Sequence, residues 1–239
     1  MLEKFFYVKK EDCIKILICL LLGIIVAVGS ASIHHFALEN ATIVSEDSLL
    51  SEYSTLVFRP DSDNLCFVLE SGDTLCFCDS VSYGDMTVWE PYNLYDYLPD
   101  AKYFTMQQYG FGFFLFILIN PNSGYRTYAV SPPVQSPDGN RLLCAWSSPV
   151  NRDFYQDGIQ IFRIESDSLV MEFSGTFCGW YPERVRWLSD STVAYSRLPS
   201  FSSDSTLEGG TINLNATSNW IPEHPDHWST AYRGGIQLF

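Results

Sequence analysis

The sequence predicts a mainly β domain carried behind a single N-terminal membrane helix. Three observations lead there. One apolar run, ILICLLLGIIVAVGSASI at residues 16–33, is long enough to cross a hydrocarbon core as a helix. The rest of the chain breaks into short apolar stretches rich in β-branched and aromatic residues, separated by Asn, Asp, Gly and Pro. A turn-plus-strand element returns four times, around Asp61, Asp100, Asp138 and Asp190, at intervals of 39, 38 and 52 residues.

The apolar run follows Lys4, Lys9, Lys10 and Lys15. Cationic flanks stay on the cytoplasmic side, which places residues 1–15 inside and the bulk of the chain outside. The expectation is a retained single-pass anchor, with the membrane as the first partner. The alternative is a signal segment cleaved near Ala31, after which the domain is secreted or periplasmic. Residues 34–53 read as a linker and 54–239 as the extracytoplasmic domain.

The chain carries 28 acidic against 14 basic side chains, a formal net charge of -14. A surface this acidic repels nucleic acid and anionic lipid, so no nucleic-acid partner is expected. It suits solubility or a basic partner.

The repeated element has a local logic. The copies cover residues 58–67, 97–104, 135–143 and 187–195, with Pro60-Asp61, Pro99-Asp100, Pro137-Asp138 and Ser189-Asp190 at their turns. Proline presets a turn, aspartate bonds back to the backbone, and a small residue takes the awkward position. An apolar strand follows each turn. Further strands are expected at 75–78 and 86–89, at 111–119 and 125–130, and at 159–164 and 169–173. The stretch FGFFLFILI at 111–119 is too short to span a membrane as a helix and reads as a strand buried on both faces. Units of about 40 to 50 residues point to a propeller or array, here of about four blades. A β-sandwich is the structural alternative. Residues 234–239 are a candidate closing strand that pairs near Leu56, and 200–210 read as a loop.

The third copy, Ser136-Pro137-Asp138-Gly139-Asn140-Arg141-Leu142, resembles the SPDG-x-x-L element of TolB-type and WD-repeat-like β-propellers. The other copies are degraded versions: all lack the glycine, and the fourth lacks the proline too. The resemblance covers about residues 54–197. It implies a propeller platform of the kind used for protein contact in the bacterial envelope, and no particular activity.

Candidate sites are sparse. The run WEPYNLYDY mixes aromatic and acidic residues between two copies, so Trp89, Tyr92, Tyr95 and Tyr97 are expected on a loop as a binding surface for protein or glycan. A hairpin closed by Ser71-Gly72-Asp73 sets Cys66 opposite Cys78 and predicts a disulfide between them. Glu223, His224, Asp226 and His227 are the densest group of metal-ligand types, but Pro225 prevents a helix that aligns them. Asp61, Asp63 and Asn64 start like a calcium loop without its later ligands. Asn40 and Asn215 head glycosylation sequons. There is no G-x-S-x-G elbow and no glycine-rich phosphate loop, so neither a catalytic residue, a cofactor nor a metal is assigned. The expected role is non-enzymatic: binding or scaffolding of an envelope protein. The alternatives are a ligand- or glycan-binding module and a hydrolase that uses His224 or His227.

Overall fold

The computed structural model describes residues 44–83, 86–89, 91–110, 113–146, 158–177, 180–199, 208–216, 219–224 and 228–232. The apolar run 16–33, the sequon at Asn40, His227 and the candidate closing strand 234–239 lie outside them. Among the described residues no helix is long and apolar enough to cross a membrane.

The chain is mainly β, as the pattern of short apolar segments requires. A helix α1 (Glu46–Glu52) leads into β1 (Val57–Phe58), β2 (Asn64–Val68) and β3 (Thr74–Cys78), which form a first sheet in the order β1-β2-β3. A separate ribbon pairs β4 (Ser80–Tyr83) with β5 (Met86–Trp89). The second sheet is β6 (Tyr92–Leu98), β7 (Tyr103–Gly110), β8 (Phe113–Ile119) and β9 (Arg126–Ala129). The third is β10 (Val134–Gln135), β11 (Arg141–Trp146), β12 (Gly158–Ile164) and β13 (Leu169–Phe177). The fourth is β14 (Trp180–Ser189), β15 (Thr192–Pro199), β16 (Glu208–Leu214) and β17 (Trp220–Pro222). A last strand, β18 (Trp228–Tyr232), returns to the third sheet and pairs with β13. All pairings are antiparallel between chain neighbours, apart from this return.

Three expectations change here. Residues 46–53, expected within a linker, belong to the folded domain. Ser45 caps α1 by accepting from the Ser48 N–H, Leu49 is buried, and Leu50 and Tyr53 pack on the same core. The strand at 86–89, expected to continue the first sheet, pairs with β4 instead, so the first sheet stops at three strands. Likewise, Gly209 and Gly210 stand on β16, not in a loop. A β-carbon on Gly210 would lie 2.6 Å from the Tyr195 hydroxyl, so glycine is what lets the tyrosine cross that strand.

Each repeated aspartate occupies the first hairpin turn of its sheet: Asp61 between β1 and β2, Asp100 between β6 and β7, Asp138 between β10 and β11, Asp190 between β14 and β15. Asp61 accepts from the Asp63 N–H at 2.9 Å and from the Asn64 side chain at 3.0 Å. Asp138 accepts from the Ser136 hydroxyl at 2.6 Å and the Asn140 N–H at 3.1 Å. Gly139 takes the left-handed conformation in that turn, whereas the second copy, lacking glycine, uses Lys102 at φ 56°. In the fourth copy Ser189 replaces proline, and its hydroxyl accepts from the Ser191 N–H.

The buried side chains form three clusters among the described residues, and each lies between consecutive sheets. Leu49, Val57, Leu65, Phe67 and Phe77 meet Leu94, Phe104, Met106, Ile117 and Ile119 between the first and second sheets. Tyr103, Phe116 and Leu118 meet Leu142, Cys144, Phe162 and Leu169 between the second and third. Leu143, Ile159, Ile161 and Phe173 meet Val193, Tyr195, Ile212 and Trp220 between the third and fourth. Side chains alternate across a strand, so Phe116 and Leu118 face one neighbour while Ile117 and Ile119 face the other. This is why the segment in β8 is apolar without alternation. Each fully buried side chain of this size contributes about 1.5–3 kcal/mol.

Candidate functional site

The aromatic run expected on a loop forms the end of β5 and nearly all of β6, the edge strand of the second sheet. The Trp89 backbone pairs with Ser80 in the β4–β5 ribbon. In β6, Leu94 pairs with Met106 and Asp96 with Thr105, which leaves Tyr95 as the extra residue of a bulge. The bulge resets the alternation. Tyr92 and Tyr97 both pack toward the first core: Tyr92 lies 5.3 Å from the Phe77 ring, and Tyr97 lies 4.4 Å from Phe104 and 4.6 Å from Tyr53. Tyr95 packs edge-on to Phe116 at 5.5 Å, toward the second core. The structure thus separates Tyr95 from Tyr92 and Tyr97 and half-buries all three. Burial raises the Tyr97 phenol above its ordinary value, and burial together with the charge of Asp96 does the same for Tyr95.

What converges at this edge is polar and was not legible beforehand. Arg59, beside the first repeat, bonds Glu46 of α1 through Nε at 3.3 Å and Nη2 at 3.0 Å. Its Nη1 lies 3.5 Å from Asp79, and its Nη2 also donates to the Tyr92 carbonyl. Asp79 in turn accepts from the Tyr92 N–H at 2.9 Å, and Glu46 accepts from the Leu94 N–H at 2.8 Å. Two backbone donors of the edge strand are thereby satisfied by carboxylates from the bend after β3 and from the helix, which blocks strand addition at that point. Asp79 is only 3% exposed. Burial lifts its carboxyl above the ordinary aspartate value, with the Tyr92 N–H and the Arg59 guanidinium pulling the other way. No sequence spacing signals this group, because Glu46, Arg59 and Asp79 lie 13 to 48 residues from the partners they bind.

The expected Cys66–Cys78 bridge is corrected: Cys66 is bonded to Cys76, with a Cα–Cα distance of 4.1 Å, and Cys78 is a free, exposed thiol. The reason is the turn. Leu69 and Asp73 close the hairpin through the Leu69 N–H to the Asp73 carbonyl at 2.8 Å, and the Gly72 N–H bonds the Leu69 carbonyl at 2.9 Å. A three-residue loop wants its left-handed residue in third place, and Gly72, at φ 86°, supplies it. The loop is therefore Glu70-Ser71-Gly72, one residue earlier than expected, and Cys66 faces Cys76.

The remaining candidates are occupied locally. Glu223 accepts from the Thr211 N–H and hydroxyl at 3.2 and 3.1 Å. Asp61 is engaged by its own turn, as above. Asn215 follows β16, and its side-chain oxygen accepts from the Asn219 N–H at 2.9 Å. Among the described residues no group of three or more His, Cys, Asp or Glu side chains is placed to hold a metal ion.

A second polar knot joins the third and fourth sheets. Phe162 pairs with Met171 and Ile161 with Phe173, so Glu172 is the bulged residue of β13. Glu172 accepts from Arg141 Nε at 2.8 Å, Arg163 Nε at 2.9 Å and Trp220 Nε1 at 2.9 Å. Compared with known protein families, curated proteins and solved structures, the chain matches none of them.

Proposed function

We propose that the protein is a membrane-anchored, extracytoplasmic β-propeller-like domain of about four blades that binds or scaffolds an envelope protein without catalysing a reaction. The observation that carries the reading is the stacking of consecutive meander sheets. Each of the four sheets opens on a copy of the repeated turn, and a core lies between each sheet and the next. The second and third sheets bury both faces, which favours a stacked array over a two-layer sandwich. Stacked blades leave turns and outer edges as the contact surface, and a membrane tether at 16–33 raises the local concentration of the domain at the envelope. The test is photocrosslinking of the full-length protein in intact membranes, followed by mass spectrometry, with protease accessibility of the domain read from outside. The expected result is an externally cleavable domain and a reproducible partner set that is lost when 16–33 is replaced by a cleaved signal. A protected domain overturns the location, and an uncrosslinked monomer overturns the scaffold role.

A further inference from the structure

We propose that Cys66, Cys76 and Cys78 form a thiol–disulfide exchange site in which Cys78 displaces Cys76 from its bridge to Cys66, moving the β2–β3 hairpin between two registers. Three cysteines share one face. Cys76 and Cys78 are two apart on β3 and both exposed, while their neighbour Phe77 points into the core. Cys66 is bridged to the first of them, and Cys78 is free beside it.

The geometry limits which exchange is open. Residues two apart on an extended strand are separated by about 6.6 Å with parallel side chains, so Cys76 and Cys78 cannot bridge each other without leaving the strand. Cys66 and Cys78 are diagonal neighbours at about 7–8 Å, out of bonding range in the present register. A slide of β3 by two residues brings Cys78 opposite Cys66 and puts Phe77 opposite Phe67. A one-residue slip inverts every side chain, but a two-residue slip leaves each on its own face. β3 is an edge strand with β2 as its one sheet neighbour, so the slide breaks a single ladder. The loop becomes Ser71-Gly72-Asp73, all exposed, and Asp73 moves into the left-handed third place that Gly72 holds at rest, which favours the resting register.

The chemistry balances within the chain. Cys78 releases its proton to solvent and its thiolate attacks the Cys66 sulfur. The Cys66–Cys78 bond forms as the Cys66–Cys76 bond breaks, and Cys76 leaves as a thiolate that takes up a proton. One disulfide and one thiol exist before and after, so neither oxidant nor reductant is required. Asp79, the next residue, opposes the slide: its N–H bonds the Asp63 carbonyl at 2.7 Å and its carboxylate holds Tyr92 and Arg59. The resting register therefore keeps Cys76 bridged, and the exchanged register withdraws Asp79 from the edge of the second sheet. Bridge identity and docking of the first sheet are coupled.

The test uses the full-length protein, incubated without added thiol at mildly alkaline pH, quenched in acid, unfolded, and alkylated before digestion. Chymotrypsin cuts after Phe77 and so separates Cys76 from Cys78 for mass spectrometry. The expected result is alkylation shared between Cys78 and a smaller Cys76 fraction, at a rate independent of protein concentration and abolished by blocking Cys78 beforehand. Asp79→Ala raises the Cys76-alkylated fraction several-fold. In Cys76→Ser, with oxidised glutathione supplied as the two-electron oxidant, Cys66 and Cys78 bridge while the β circular dichroism is retained. Alkylation confined to Cys78 at every time, together with a Cys76→Ser protein that leaves Cys66 and Cys78 unbridged under the same oxidant, overturns the proposal.

Discussion

The first sheet has three strands, and β3 buries little beyond Phe77. The third has five strands and buries both faces, with Leu142, Cys144 and Phe162 on one and Leu143, Ile159, Ile161 and Phe173 on the other. The small sheet is fastened by a disulfide and by the Arg59 contacts with Glu46 and Asp79. The large one is held chiefly by apolar burial, and Glu172, with Arg141 and Arg163, adds an ionic group where it meets the fourth sheet. Where burial is insufficient, covalent and charge-assisted ties take over, because a small apolar area cannot offset the entropy of ordering its strands.

The sharpest way to break this comparison is to truncate a ring in each sheet. Phe162→Ala empties a site that is 1% exposed and should cost about 3–5 kcal/mol in urea unfolding. Phe77→Ala, at 8% exposure on an edge strand, should cost distinctly less. Equal losses would mean that the first sheet depends on its core after all. Next in size is Glu172→Ala, which takes the near acceptor from the largely buried Arg141 and from the Trp220 N–H, while Arg163 keeps Glu165 at 2.7 Å, and should cost about 2 kcal/mol. Glu46→Ala, whose carboxylate is 25% exposed, should cost about 1 kcal/mol.

Reduction of the Cys66–Cys76 bridge releases a loop with a sequence separation of 10 and should cost about 2–3 kcal/mol. Hydrogen exchange should accelerate in β2 and β3 first and leave β11 and β12 protected. Uniform acceleration would show the four sheets unfolding as one unit.

The smallest effects are in pH. Asp79 has its carboxyl raised by burial, so its native state holds a proton more readily than the unfolded chain. Stability at that site should fall as pH rises from the ordinary aspartate value of 3.8 through the raised one, and Asp79→Asn should flatten the fall. At Asp138 burial pushes the carboxyl up, but the Ser136 hydroxyl, both Asn140 donors and Arg141 outweigh it and leave it lowered. Its stabilising contribution is present above 3.8 and lost as pH falls through the lowered value. Asp138→Asn should remove that acid limb from a plot of urea midpoint against pH.

The four turns were legible because their chemistry is local: Pro137 and Asp138 act on atoms within five residues, and the same holds around Asp61. The double-faced burial of β8 was legible because its apolar run has no alternation. The cysteine pairing was misread by one turn position, since the hairpin follows the left-handed Gly72 rather than the centre of the Ser-Gly-Asp triplet. The aromatic run was misread as a loop because Pro91 and the Tyr95 bulge interrupt its alternation, and a bulge is invisible until the opposing strand is in register.

The sequence by itself determined the mainly β character, the four repeated turns and the two-faced burial of β8, because each follows from side-chain periodicity and turn chemistry within a few residues. Only the tertiary structure decided that β5 leaves the first sheet, that β18 returns to the third, and that Glu46, Arg59 and Asp79 meet at the edge of β6. Those outcomes depend on which free edges and buried charges come together once the sheets pack, and residues 13 to 48 positions apart carry no local mark of it.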